Sequence, residues 1–204
     1  MKVFLDQSEL AVERPSMASA LVAARDAAQQ AGRVIIEVKL DGLPVADAQL
    51  EDPSEQPLSA ARLDFVTTDP RALVRTTLLD VADALALTRD QQLKAAEALQ
   101  AGEFKDAFAQ LNEVVNIWSH VRRVISEGPA LLGLSVDQID QKHSSTNLSQ
   151  GIDRLNAALT ELRTSLQSQD WSTLADLLSG ELDDLAARWD TLLRTTADQF
   201  APGP

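Results

Sequence analysis

Histidine and cysteine, the side chains most suited to acid–base chemistry near neutral pH and to zinc binding, are scarce in this chain. It contains two histidines, His120 and His143, and no cysteine. His143 follows Asp140 by three residues, a spacing that puts two ligands on one helix face, but a zinc site needs at least three protein ligands. The Glu-x-x-His motif that di-iron bundles use twice is absent. We therefore interpret His120 as a helix-surface residue and His143 as part of a polar linker, and we predict neither a metal nor another cofactor.

Nucleophilic and nucleotide chemistry have no recognisable motif either. The eight glycines do not form a G-x-x-x-x-G-K-[ST] or G-x-G-x-x-G phosphate loop. Ser16, Ser119 and Ser179 lack the G-x-S-x-G context of an esterase nucleophile. Adjacent carboxylates such as Asp183 and Asp184 point about 100° apart on a helix, which is typical of a solvated acidic face rather than of a glycosidase pair. We predict no catalytic residue, and an enzyme built on carboxylates from distant positions is our least favoured hypothesis.

The composition indicates a folded protein whose net negative charge disfavours binding to polyanions. The 204 residues are 45% hydrophobic and 24% charged, and the formal net charge is −13. A field of that sign repels nucleic acid and anionic membrane surfaces, so neither is an expected partner. The apolar start at Met1–Leu5 is too short for a signal peptide, and no run of about 18 apolar residues occurs. With no cysteine to oxidise, we expect a cytoplasmic protein.

The N-terminal third of the sequence is typical of a small α+β domain, which we place at residues 1–69. β-Branched runs predict strands at 34–38 and 63–68. The other predicted elements are, in chain order, a strand at 2–5, a turn at 6–9, a hairpin partner at 10–12, a helix at 18–31 that starts at Pro15-Ser16 and is capped by Gly32, and a turn at Asp41-Gly42 followed by a short strand at 43–45.

This element order, opened by Lys2-Val3-Phe4-Leu5-Asp6 and continued by Glu37–Gly42 after the helix, resembles the ubiquitin-like β-grasp fold, especially its small sulfur carriers. The resemblance implies a strand-strand-helix-strand-strand domain; a split βαβ arrangement of the same strands is the alternative. Sulfur carriers react through a free C-terminal Gly-Gly, whereas Thr67-Thr68-Asp69-Pro70 leads straight into a helix here. We therefore expect the domain to be a docking surface, without the carrier chemistry.

The remainder, residues 70–204, has helical periodicity and predicts an all-α four-helix bundle of two similar hairpins. Leu99, Gln100 and Phe104 match Leu166, Gln167 and Trp171 at a constant offset of about 67 residues, so one plan occurs twice. We place the hairpins at about 70–128 and 149–200, joined by a polar linker at 133–148. A stretch at 96–111 resembles a tetratricopeptide half-repeat, which leaves a short helical-repeat scaffold as the alternative architecture.

Apolar residues spaced three and four apart predict which helix faces are buried. The first helix is predicted to begin at Asp69 and Pro70, and an interruption is predicted at Thr88-Arg89-Asp90. The second is expected to end near Gly128-Pro129, and the third to be capped by Ser149 or Thr146. Trp118, Trp171 and Trp189 are expected in the core. The second helix has its predicted stripe at Phe104, Phe108, Leu111, Val115, Trp118 and Ile125.

The last hairpin is the more acidic of the two, and its charge is the one feature of the sequence that indicates the chemistry of a partner. Its acidic residues could steer a basic partner, while a solvated helix face is the alternative interpretation. We predict a non-enzymatic protein-interaction module, adaptor or chaperone-like. The second hypothesis is a structural or assembly protein that forms a homodimer through its helices. The candidate partner-binding residues are Asp176, Glu181, Asp183, Asp184 and Asp190.

Overall fold

The protein has an α+β fold in which a five-stranded sheet at the N-terminal end precedes a helical C-terminal region. This agrees with the predicted fold class. The structure, a computed structural model, describes residues 2–13, 15–57, 62–142 and 147–201. The chain divides into two compact units, Met1–Leu73 and Val74–Pro204. No helix within the described ranges is long and apolar enough to span a bilayer.

The N-terminal unit is a mixed sheet with one long helix packed on it. Its strands lie in the order β2-β1-β5-β3-β4, in which β1 and β5 are parallel and every other neighbouring pair is antiparallel. Val3 pairs with Leu63 and Val38 with Phe65. The elements are β1 Lys2–Leu5, β2 Ser8–Leu10, α1 Met17–Gln30, β3 Val34–Leu40, β4 Leu43–Pro44, α2 Asp47–Glu51 and β5 Arg62–Thr68.

The first hairpin is tighter than predicted. Asp6 and Gln7 have φ values of +46° and +71°, so they form a two-residue turn and β2 begins at Ser8. The predicted turn at 6–9 and partner strand at 10–12 are therefore displaced by about two residues. Left-handed turns of this kind match the twist of the flanking strands, and Asp tolerates that conformation. The turn at Asp41-Gly42 is confirmed, with φ values of +48° and +85°.

One face of the sheet and one face of α1 form the core of this unit. The helix begins at a capping box, in which Ser16 and Ser19 each accept a hydrogen bond from the other's backbone N–H. It is followed by Gly32 at φ +66°, as predicted. The buried apolar side chains shared by helix and sheet are Val3, Met17, Ala20, Leu21, Ala24, Val38, Leu63 and Phe65.

A polar network connects the end of β5 to the first turn and to the start of β3. The backbone N–H of Thr67 donates to Asp6 Oδ1 at 2.8 Å, and its hydroxyl donates to the same carboxylate. Arg33 donates from Nε to Thr67 Oγ1 at 2.5 Å and from Nη2 to the Thr67 carbonyl at 2.9 Å. The hydrogen bonds from Thr67 hold the pKa of Asp6 below its usual value, and the Arg33 charge lowers that pKa further.

The helical region contains four long helical stretches and one short helix. The first stretch is uninterrupted, contrary to expectation, because Thr88 is buried and its hydroxyl donates to the Ala84 carbonyl at 2.9 Å. The second passes through Pro129 and ends at Leu131, a few residues later than predicted. The elements are α3 Pro70–Ala101, α4 Phe104–Leu131, α5 Val136–Lys142, α6 Leu148–Ser168, α7 Trp171–Asp176, a π-helical segment Leu177–Glu181 and α8 Leu182–Asp198.

The start of α6 is capped from a distance. Its N-cap residue Asn147 makes no side-chain cap bond, and Ser149 lies inside the helix rather than capping it; Thr146 and His143 lie outside the described residues. Asp140 of α5 accepts instead, from the backbone N–H groups of Leu148 and Ser149 at 2.9 and 3.0 Å. The segment predicted as a linker thus contains a helix whose carboxylate caps the next one.

The core of the helical region contains two of the three tryptophans. Trp118 and Trp189 are buried, as predicted. Phe104 and Phe108 are not: they are 40% and 42% exposed. The buried residues of α4 recur at Ala107, Leu111, Val114, Trp118, Val121 and Ile125. That stripe leaves both phenylalanines on its flank, so their assignment to the core of the second helix is wrong.

Candidate functional site

Two similar turns bring aromatic residues together at the surface of the helical region. Between α3 and α4 the chain turns at Gly102, with φ +77°, and between α6 and α7 it turns at Gln169, with φ +58°. Phe104 opens the helix after the first turn and Trp171 opens the helix after the second. These are the two aromatic positions that the internal repeat pairs in the sequence.

Phe104, Phe108 and Trp171 form a cluster of touching rings, called here the aromatic cluster. Ring centroids are 5.3 Å apart for Phe104 and Trp171, 5.7 Å for Phe108 and Trp171, and 6.3 Å for the two phenylalanines. Trp171 is half-buried, while both phenylalanines are exposed. Aromatic side chains are over-represented among the residues that dominate protein–protein binding energy. The cluster is therefore the strongest candidate binding feature in this region.

The start of α7, where Trp171 lies, is held by its own cap. Asp170 accepts from the backbone N–H of Thr173 at 3.0 Å and from its hydroxyl at 2.8 Å. These two hydrogen bonds lower the pKa of Asp170. The cap fixes the backbone at the start of α7, while the Trp171 ring itself is held by its contacts with Phe104 and Phe108 and by packing against the core.

A cleft of about 300 Å³ lies between α4 and α6 and has a basic lining. Arg123 Nη2 lies 3.3 Å from Nδ1 of the half-buried His120. Neither Arg122 nor Arg123 forms an ion pair with any residue of the described ranges. The guanidinium groups are thus available to a ligand. The cleft is lined by Ser119, Arg122, Arg123, Ser126, Glu127 and Leu159.

A second cleft, of about 420 Å³, lies on the other flank of α6, against α8. Its charges balance, since Arg154 and Arg188 face Glu181 and Asp184. This cleft therefore offers no net charge to a partner.

The acidic residues that the sequence singled out do not share one environment. Arg89 donates to both oxygens of Asp183 at 2.7 Å, which lowers the pKa of Asp183. Arg194 donates to Asp190 at 3.0 Å. Glu181 and Asp184 line the α6–α8 cleft, and Asp176 is exposed. Two of the five predicted residues are therefore already paired within the chain.

The described residues bring no set of metal-binding side chains together. Across residues 2–13, 15–57, 62–142 and 147–201 no three His, Asp or Glu side chains come close enough to hold an ion together. His120, one of the two histidines considered in the sequence, contacts Arg123 instead of a carboxylate.

Comparison with protein families assigns the helical region. A family model described as Domain of unknown function (DUF8042) matches residues 79–192, more than half of the chain. The chain belongs to the DUF8042 family. No curated protein and no solved structure matched it. The DUF8042 match includes the aromatic cluster and both clefts, whereas the sheet of the N-terminal unit lies outside it.

Sequence reasoning had the signal for this site but interpreted it differently. In the sequence, the aromatic residue that follows each turn indicates a repeated hairpin, and helical periodicity predicts that the rings lie in the core. The arginines of the α4–α6 cleft were not singled out, because adjacent basic residues on a helix are common on solvated faces.

Proposed function

We propose that this DUF8042 protein is a non-enzymatic protein-interaction module, adaptor or chaperone-like, that binds its partner at the aromatic cluster. The observation that supports this proposal is that Phe104, Phe108 and Trp171 contact one another while both phenylalanines remain about two-fifths exposed. Burying the exposed part of each ring would contribute about 1 kcal/mol to association.

Each of the two units also has a proposed fold. We propose a β-grasp fold for the N-terminal unit, supported by the parallel β1–β5 pair flanked by antiparallel hairpins. For the helical region we propose a four-helix bundle of two similar hairpins, supported by the contact between Phe104 and Trp171 at the two turns. A cytoplasmic protein partner, rather than nucleic acid, is consistent with the net charge of −13 and the absence of cysteine.

Affinity capture with matched variants tests the proposal. Tagged wild type and a Phe104→Ser/Phe108→Ser variant would be expressed at native level in the source organism, and bound proteins would be quantified by mass spectrometry. Leu87→Ser is the matched control, because Leu87 is an exposed apolar residue of α3 outside the cluster. We expect a stoichiometric partner that is lost from the double variant and kept by the control. Equal retention by all three proteins, with circular dichroism unchanged, would contradict the proposal.

Assembly of two copies is the second candidate, since the same exposed rings could pair with those of another chain. Light scattering of wild type and the double variant distinguishes the two. A wild-type dimer that the double variant converts to a monomer would favour assembly. A wild-type monomer at micromolar concentration would favour the adaptor.

The acidic residues of the last hairpin remain a proposed site for a basic partner. Asp176 is the best placed of them, because it is exposed and forms no ion pair within the described part of the chain. Glu181 and Asp184 share the α6–α8 cleft with Arg154 and Arg188, which offset their charge locally. Asp183 and Asp190 contribute less, since Arg89 and Arg194 offset their charge locally.

A further inference from the structure

We propose that the segment bound at the aromatic cluster is acidic, with an apolar residue seated on the rings and carboxylates paired with arginines farther along the α4–α6 groove. This inference rests on the proposed function and adds the chemistry of the partner. It is carried by one flank of α4, called here the α4–α6 groove, which has the aromatic cluster at one end and the arginines of the α4–α6 cleft at the other.

The groove follows one flank of α4. Phe108, Val115, Ser119, Arg122 and Ser126 are separated by seven, four, three and four residues, so they lie on the same side of the helix. Val115 is half-buried and the other four are exposed. At 1.5 Å per residue, the backbone rises about 21 Å from Phe108 to Arg122.

The opposite wall of the groove belongs to α6, which runs antiparallel to α4. Leu159 of α6 lines the cleft that contains Arg122, while the chain after α6 brings Trp171 against Phe108. Moving along α6 from Leu159 therefore leads towards the rings. Arg163 lies one turn farther in that direction on the same helix face, and it is exposed.

The charge of the groove is opposite to that of the chain. Arg122 and Arg123 line the α4–α6 cleft together with one carboxylate, Glu127, although the formal net charge of the protein is −13. Arg163, one turn from Leu159, adds a further exposed cation on α6. None of the three arginines is ion-paired within the ranges that the structure describes. A guanidinium presents a planar fork of donors that fits a carboxylate with two hydrogen bonds. An acidic side chain is thus the complement of this end of the groove.

The aromatic end selects an apolar group rather than a charge. Glu103 and Lys105 flank Phe104 in sequence, and their charges cancel. Asp170 carries a negative charge that is stabilised by two hydrogen bonds from Thr173, so a carboxylate of the partner is disfavoured at this end. The rings themselves are therefore what this end offers, and they bury an aliphatic or aromatic side chain.

Other occupants fit the groove less well. A basic segment would meet three arginines and be repelled. A long polyanion would feel the net charge of the whole protein, whereas a short acidic segment in the groove is screened from charges more than about 8 Å away. The span of about 21 Å corresponds to roughly six or seven residues of extended chain. An apolar residue and a carboxylate about that far apart would engage both ends.

Designed peptides provide the test. The probe is an acetylated peptide of about twelve residues with a Phe-Leu pair near one end and three glutamates about six residues away. One control peptide has lysine in place of each glutamate, and a second has Ser-Ser in place of Phe-Leu. Binding to the full-length ¹⁵N-labelled chain is followed by NMR, with the Trp171 indole and the arginine Nε–H signals as site-specific reporters.

We expect the glutamate peptide to bind at least about tenfold more tightly than either control, with affinity that falls as salt rises. The Trp171 indole and the Nε–H signals of Arg122 and Arg163 should shift together. An Arg122→Glu/Arg163→Glu variant should reverse the preference between the glutamate and lysine peptides. Arg154→Glu is the matched control, because Arg154 lines the cleft on the other flank of α6, and it should leave the preference unchanged.

Equal or tighter binding of the lysine peptide, or an unchanged preference in the double arginine variant, would overturn the inference. The two double variants separate a failure of the acidic-segment proposal from a failure of the aromatic binding site. If a captured partner is lost from Phe104→Ser/Phe108→Ser but retained by Arg122→Glu/Arg163→Glu, the partner binds at the aromatic cluster but does not pair carboxylates with the arginines. If both variants retain it, both proposals fail. A dimer that only the phenylalanine variant dissociates would make a second copy the occupant and also overturn the inference.

Discussion

Thr67 is the residue at which the polar network of the N-terminal unit converges, and its two bonds to Asp6 are strongest when that carboxylate is ionised. The pKa of Asp6 is lowered in the folded state, so the network stabilises the unit above the unfolded pKa of about 3.9. That contribution is lost as pH falls through the lower, folded value. We predict that Asp6→Asn destabilises the sheet at pH 7 and that the deficit shrinks below about pH 4.

Urea titration followed by the amide NMR signals of β1 and β5 measures this effect at several pH values. The sheet has to be followed directly because all three tryptophans lie beyond residue 73. Asp26→Asn is the matched control, since Asp26 is an exposed aspartate of α1. A deficit for Asp6→Asn that stays constant from pH 7 to pH 3 would show that the Asp6 charge does not stabilise the network.

Asp140 illustrates a cap that comes from another helix. Its carboxylate accepts from Leu148 N, Ser149 N and Ser149 Oγ, the last at 2.8 Å. We predict that Asp140→Ala lowers the free energy of unfolding by about 1 kcal/mol, the usual cost of losing an N-cap. Asp137→Ala should cost less, because Asp137 accepts only a 3.3 Å bond from the Ser149 hydroxyl. Urea unfolding monitored by tryptophan fluorescence compares them, and equal losses would contradict the assigned role.

At the scale of elements, Gly151 sets how closely α6 approaches α8. A Cβ at this position would lie 3.1 Å from Leu192 Cδ2 and 3.3 Å from Trp189 Cζ2. Trp189 is 1% exposed, so it has little room to move. Overpacking a core typically costs 1–3 kcal/mol, which outweighs the gain of about 1 kcal/mol in helix propensity. We predict that Gly151→Ala destabilises the protein by about 1 kcal/mol.

Gly180 is the matched position for this test, because a Cβ there would meet no atom within 4 Å. Gly180→Ala should be neutral or stabilising by up to about 1 kcal/mol. Thermal unfolding of both variants gives the comparison. If Gly151→Ala stabilised the protein as much as Gly180→Ala, the side chains of Leu192 and Trp189 would be able to move aside for the added Cβ, and the prediction would be wrong.

The elements that could be predicted are those specified by neighbouring residues. Asp69 accepts from Arg71 N and Ala72 N at 2.7 and 3.1 Å, and Gly32 ends α1, because caps depend on only a few adjacent positions. The short helices α2 and α5 and the π-helical segment at Leu177–Glu181 were not predicted. Such short or irregular helices are too brief to show a repeating pattern of apolar residues in the sequence, so tertiary packing determines where they form.

Across the whole molecule, the internal repeat indicates which aromatic residues correspond, but sequence patterns do not show which side chains from distant parts of the chain contact one another. Arg89 and Asp183 are 94 positions apart, so nothing local indicated that one of the predicted acidic residues was already paired. Phe108 and Trp171 are 63 positions apart in the chain. Periodicity predicts both rings in a core, whereas in the structure Phe108 is exposed and meets Trp171, which is half-buried at the edge of the core.

Site-specific photo-crosslinking shows whether a partner protein binds at the aromatic cluster. A p-benzoylphenylalanine at position 108 is compared with the same group at position 87, which is exposed but lies outside the aromatic cluster. Both full-length proteins are irradiated in living cells of the source organism, and crosslinked species are identified by mass spectrometry. The account predicts one dominant heterologous protein crosslinked at position 108 and absent at position 87. Equal crosslinking at both positions, or none at position 108, would contradict it.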